Sequence, residues 1–161
     1  MRSDSPSGHS WTLTTLLGEF LFILETRYGS RDTNFTPIGI DFCGSIPSVW
    51  YPGNRNHVAI TLTESARDNI PQAIFQLAHE TVHLLSPSGG QNANVLEEGM
   101  ATDFQMEVNI KYSLGFNLNL KSYKDSLFLF NQAKSIDPDF VRKIRKYNAD
   151  IYKWKKMKSL P

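Results

Sequence analysis

Two histidines four residues apart flank a glutamate in the run Gln76-Leu77-Ala78-His79-Glu80-Thr81-Val82-His83. In a helix, residues at this spacing stack on one face, so the two imidazoles point the same way. Two neutral imidazoles supply half of a tetrahedral zinc site. Glu80 beside them is placed to take a proton from a water activated there. At about 100° per residue, Gln72, Gln76, His79, Glu80 and His83 share one sector of roughly 100°. Ala73, Ile74, Phe75, Leu77, Ala78, Val82, Leu84 and Leu85 fill the remainder, with Thr81 the one polar residue among them. A helix apolar round most of its circumference is a buried one. Its polar stripe therefore faces an internal cleft.

A catalytic zinc takes three protein ligands and keeps one position open. The segment Asn94-Val95-Leu96-Glu97-Glu98-Gly99-Met100-Ala101 begins eleven residues after His83, and a carboxylate there is a chemically suitable third ligand. At this point the chain resembles the gluzincin branch of zinc metallopeptidases, over about residues 57–115. The resemblance rests on His79-Glu80-x-x-His83 and on the following Glu-Gly-Met-Ala. It implies a zincin-like fold with Zn2+ as cofactor, His79, His83 and Glu98 as ligands, and Glu80 as general base. It further implies an enzyme acting on a peptide or protein substrate. Fourteen residues separate His83 from Glu98, fewer than in the large aminopeptidase relatives, so a reduced cleft is expected.

Glu97 competes with Glu98 for the metal. Asn94 is a good N-cap, and the spacing Asn-x-x-Glu puts Glu97 where a capping box would use it to reach back to free backbone N–H groups. That structural role suits Glu97, and Glu98 is the expected ligand. Gluzincins generally also carry a downstream Tyr or His that steadies the oxyanion. Tyr112 stands fourteen residues beyond Glu98, roughly 21 Å along a straight helix, which is out of reach. Tyr123, Tyr147 and Tyr152 remain open. Thr102 and Asp103 are candidates to hold the ligating histidines from behind.

The elements that must position these residues read as α+β: a small mixed sheet packed on the motif helix, with further helices toward the C-terminus. Residues 1–9, rich in Ser, Pro and Gly, read as a loose arm. Trp11–Tyr28 has apolar residues at helical spacing and backs the core. Its acidic and basic residues exclude a signal peptide or a membrane span. Segments 37–42, 48–51 and 57–63 read as strands, the last half-buried, and the resemblance implies that this last strand forms the upper rim of the cleft. There, by the resemblance, a substrate peptide would add as a further strand. His57, at the start of that strand, is read as exposed. Pro71 opens the motif helix and Ser86–Gly90 ends it. Helices are expected over 95–114, over 122–136 with Leu127, Phe128, Phe130 and Ala133 as the apolar side, and from 140 to about 154.

A chain of 161 residues, with 40% hydrophobic and 20% charged residues, is long enough for one domain, 1–161, with a real core. With no leader or span recognised, a cytoplasmic setting is expected. The single Cys43 excludes an internal disulfide and reads as a small buried or half-buried residue. The net charge of +1 names no dominant electrostatic partner, although residues 142–158 carry +7. That run reads as a solvated helix face, which makes nucleic acid an unlikely partner and leaves the oligomeric state open. Two alternatives to the peptidase stand: a catalytically silent zinc-binding interaction domain, and a basic-helix nucleic-acid binder with a structural metal.

Overall fold

The computed structural model describes residues 2–4, 10–53, 56–90 and 92–150. Two short strands, β1 (Arg2–Asp4) and β2 (Ser10–Thr12), pair antiparallel where the sequence reads as a loose arm. Helix α1 (Leu13–Tyr28) follows, with the Thr12 side chain accepting the Thr15 N–H as its N-cap. Leu13, Leu16, Leu17, Phe20, Leu24 and Tyr28 form its buried face, as helical spacing predicts.

Three strands make the main sheet: β3 (Thr36–Gly44), β4 (Ser48–Trp50) and β5 (His57–Thr63). Their order is β3-β5-β4, with β3 parallel and β4 antiparallel to β5, so the sheet is mixed. The central position of β5 explains why Val58 to Thr61 and Leu62 are all buried, where an alternating, half-buried strand was expected. Ile38 and Cys43 are the extra residues of two register shifts in β3. The shift at Cys43 accounts for its being exposed rather than buried.

Helix α2 (Ile70–His83) carries the histidine motif through the core. Asn69 caps it by accepting the Gln72 N–H, and Pro71 occupies the first turn, where no intrahelical N–H is lost. Leu77, Ala78, Thr81 and Val82 have no exposed surface. Thr81 is tolerated there because its hydroxyl donates to the Leu77 carbonyl oxygen at 2.6 Å.

Helix α3 (Val95–Lys111) packs on α2, and α4 (Lys121–Ile136) packs on α3. On α4 the buried residues are Ser126 and Phe130, while Phe128 is exposed. Phe128 lies about 200° round the helix from Ser126, so the two cannot share a face. Helix α5 (Phe140–Tyr147) is shorter than its apolar spacing predicts, with Asn148 extended as its C-cap and Tyr147 exposed. The expected continuation through Ile151 and Trp154 lies outside the described residues. The result is a mixed α+β structure, and no described helix is long and apolar enough to cross a membrane.

Candidate metal centre

Helices α2 and α3 bring His79, His83 and Glu98 together, with one ligand atom from each within 4.8 Å of the others. The polar stripe of α2 divides into two parts. Gln76 accepts the Thr63 N–H at 3.0 Å, and Gln72 donates to Ser65 at 2.9 Å, so these two residues pin the end of β5 to the helix. One turn further on, His79, Glu80 and His83 line a cleft of about 310 Å³ with Glu97, Glu98 and Tyr123. Pro47, Ser48, Val49 and Tyr51 form the opposite wall, and Ser88, Gly90, Asn92 and Ala93 of the α2–α3 connection close one end.

Hydrogen bonding separates the two glutamates. Asn94 caps α3 by accepting the N–H groups of Leu96 and Glu97. The Glu97 carboxylate, expected to reach back to that cap, instead takes His83 Nδ1 at 2.8 Å. This leaves His83 Nε2 free to bind a metal and fixes the ring's orientation. Glu98 Oε2 lies 3.3 Å from His79 Nε2 without the alignment of a hydrogen bond, and it is buried with no hydrogen-bond partner. Glu98 Oε1 is 3.9 Å from His83 Nε2. Two ligands on one tetrahedral zinc, each about 2.0–2.1 Å from it, stand roughly 3.3–3.4 Å apart. The spacing and the unsatisfied oxygen therefore fit a zinc-sized divalent ion held by His79, His83 and Glu98.

Charge and burial pull against one another here. Burial pushes the Glu80 carboxyl above its ordinary value, against the pull of His83 and His79. Burial alone would lower His83, but its hydrogen bond to Glu97 and the charges of Glu80, Glu97 and Glu98 prevail and raise it to about 9. Glu98 is lowered: burial opposes this, and contact with His79 and the charge of His83 overcome it. A cluster of three carboxylates around two imidazoles is thus an electrostatic well for a cation.

Other expected residues are placed elsewhere. Tyr123, at the start of α4, puts its ring 5.2 Å from that of His79, and its hydroxyl pKa is raised by burial and by Glu98 and Glu80. Tyr112 contacts Glu19 at 3.4 Å, away from the cleft, and Tyr147 is exposed, while Tyr152 lies outside the described residues. Neither Thr102 nor Asp103 backs a histidine: Thr102 donates to the Glu98 carbonyl oxygen, and Asp103 pairs with Lys134. His79 Nδ1 has no hydrogen-bond partner among the described residues. His57 begins β5 beside Thr36 and is no part of the cleft wall. The cleft's rim is β4 rather than β5, because β5 has both edges paired within the sheet.

The basic run behaves differently from a uniformly solvated face. Arg145 is buried, and Lys143 pairs with Asp137 at 2.7 Å. Residues 151–158, which hold four of the run's eight basic residues, lie outside the described residues. Comparison with family models, curated proteins and solved structures finds no match to this chain.

Proposed function

We propose that this protein is a zinc-dependent peptide-bond hydrolase of gluzincin type, with the sheet and α2 forming a small zincin-like unit. The observation that carries the reading is the convergence of His79, His83 and Glu98, with Glu80 beside them, in a cleft walled by an edge strand. Zn2+ held by those three residues supplies Lewis-acid polarisation of a carbonyl oxygen and a lowered pKa for a water molecule.

The chain's own groups would carry the proton chemistry. Glu80 takes a proton as the water oxygen bonds to the scissile carbonyl carbon. It then delivers that proton to the amide nitrogen as the C–N bond breaks, leaving a carboxylic acid, which ionises, and an amine. A carboxyl whose pKa is raised by burial is suited to both halves of that transfer. Tyr123 is the tyrosine whose position suits donation to the carbonyl oxygen as negative charge develops on it. Glu97 holds His83 in register throughout. The exposed edge of β4 suits an extended peptide, whose backbone would pair along Ser48–Trp50.

Two variants on one peptide-library assay test the proposal. Glu80→Gln is expected to keep stoichiometric zinc and lose cleavage by about a hundredfold or more. His79→Ala is expected to lose both. A Glu80→Gln preparation that cleaves as fast as the parent would remove the peptidase mechanism, and undiminished zinc in His79→Ala would remove the metal site. Zinc retention with no cleavage of any peptide by the parent would favour the silent interaction domain.

A further inference from the structure

Glycine inside a helix costs roughly 1 kcal/mol relative to alanine, so one that occurs there calls for a reason. Gly18, within α1, would place a Cβ in open space. Gly99, within α3 and next to Glu98, would place one 2.4 Å from the Ser126 carbonyl oxygen and 2.7 Å from Phe130 Cβ. Both of these are atoms of α4 or fixed directly to it. To restore ordinary van der Waals separation α4 would have to retreat by roughly 1 Å. Gly99 is therefore the seat on which α4 rests.

What α4 carries makes that seat consequential. Tyr123, Ser126 and Phe130 follow one another at spacings of three and four along one face of α4. Ser126 and Phe130 are buried against α3, and Tyr123, one turn before Ser126, enters the cleft beside His79. A rigid helix passes a displacement at Ser126 to Tyr123 almost undiminished. We propose that Gly99 is a positioning residue whose missing side chain sets the depth at which α4 delivers Tyr123 into the cleft. The catalytic consequence rests on the function proposed above, whereas the placement of Tyr123 does not. Where a group must act on a reacting atom, a misplacement of about 1 Å can cost on the order of a hundredfold in rate.

The test uses the full chain labelled with 3-fluorotyrosine, with the Tyr123 signal assigned by its loss in Tyr123→Phe. In metal-free protein the Tyr123 fluorine should resonate away from that of exposed Tyr147, because the His79 ring lies 5.2 Å from its own ring. Gly99→Ala is expected to move the signal at least halfway toward that of Tyr147, while Gly18→Ala leaves it in place. An unmoved signal in Gly99→Ala overturns the proposal, as does a parent in which the Tyr123 and Tyr147 signals coincide. Should Gly99→Ala fail to fold, Phe130→Leu decides. It loosens α4 while leaving the seat intact, so the Tyr123 signal should stay where it is, and a large shift would show that side-chain packing sets the depth instead. With a cleavable peptide in hand, Gly99→Ala and Tyr123→Phe should each lower kcat at unchanged zinc content, and the double variant should be no slower than the slower single one. Additive losses would overturn the link. Because the fluorine measurement needs neither metal nor substrate, it remains decisive if the peptidase reading fails.

Discussion

Two buried polar clusters draw on the C-terminal end of α2, one through Leu85 and the other through His79 and His83, and they are built on opposite principles. Around Arg145 the hydrogen bonding is nearly complete. Its guanidinium donates to the carbonyl oxygens of Tyr28, Gly29, Ser30 and Leu85 at 2.7–3.2 Å, and only Nε lacks a partner. These acceptors include the C-terminal end of α1, where carbonyls have no intrahelical donor and a cation is favoured. Around His79 and His83 the bonding is incomplete. Buried atoms of His79, Glu97 and Glu98 lack partners, and three carboxylates crowd together. A buried group that satisfies its neighbours holds a fold together, and one that leaves them unsatisfied calls for another explanation, of which a bound ion is one. The contrast separates a structural cation from a candidate metal site without any appeal to motif.

The comparison is broken most severely at Arg145. Arg145→Ala strands four carbonyl oxygens contributed by two segments far apart in sequence, and we expect a loss of about 3 kcal/mol of unfolding free energy at pH 7. Urea denaturation measures it. Zinc stoichiometry in the folded fraction should be unchanged, because no metal-binding group touches this cluster. A loss below about 0.5 kcal/mol would mean that the carbonyls find water equally well and that Arg145 locks nothing.

Glu97 sharpens the other side of the comparison. Its hydrogen bond engages His83 Nδ1 and leaves Nε2 toward the candidate metal site, and outer partners of this kind are commonly worth 10–100-fold in metal affinity. Glu97→Gln keeps the shape but offers a neutral acceptor. The expected result is a zinc dissociation constant raised about tenfold or more, read by competition with a chromophoric chelator, with the unfolding midpoint of the metal-free protein little changed. Unaltered affinity would show that the orientation of His83 is set by packing alone.

These two clusters also mark what was legible in the sequence. Spacing alone exposed His79, Glu80 and His83, since i and i+4 on a helix is a local relation. The buried circumference of α2 was legible for the same reason. Glu97 was misread because its local rule, the capping box, competes with a contact across two helices. Adjacent residues on α3 lie about 100° apart, so Glu98 faces the shared centre while Glu97 reaches the back of His83. Tyr123 could be named only as one of several tyrosines, because its place depends on how α4 seats on α3. Arg145 gave no local sign, sitting in a basic run whose other members look the same, and its acceptors come from residues 28–30 and 85. The parallel pairing of β3 with β5 was equally hidden, since strand order is a tertiary property.

An exposed ion pair supplies the lower limit for both clusters. Arg27 and Glu107 join α1 to α3 through two hydrogen bonds at 2.7 and 2.8 Å, with their side chains 33% and 47% exposed. The hydrogen bond from Arg27 holds the Glu107 carboxyl below its ordinary value of 4.5, although partial burial opposes it. A carboxyl depressed in the folded state binds its proton more readily when unfolded, so the pair adds stability above the unfolded pKa. That stability is lost as pH falls through the folded pKa. Exposure and salt screening hold its worth to under about 1 kcal/mol despite the bidentate geometry. Glu107→Gln should therefore cost a few tenths to 1 kcal/mol at pH 7, and the gap between parent and variant should close as pH is lowered below 4.5. It should also shrink in 1 M salt, where the screening length is about 3 Å. Denaturation curves across that pH range measure both effects. A gap that persists at low pH would assign the cost of Glu107→Gln to packing between α1 and α3 rather than to charge.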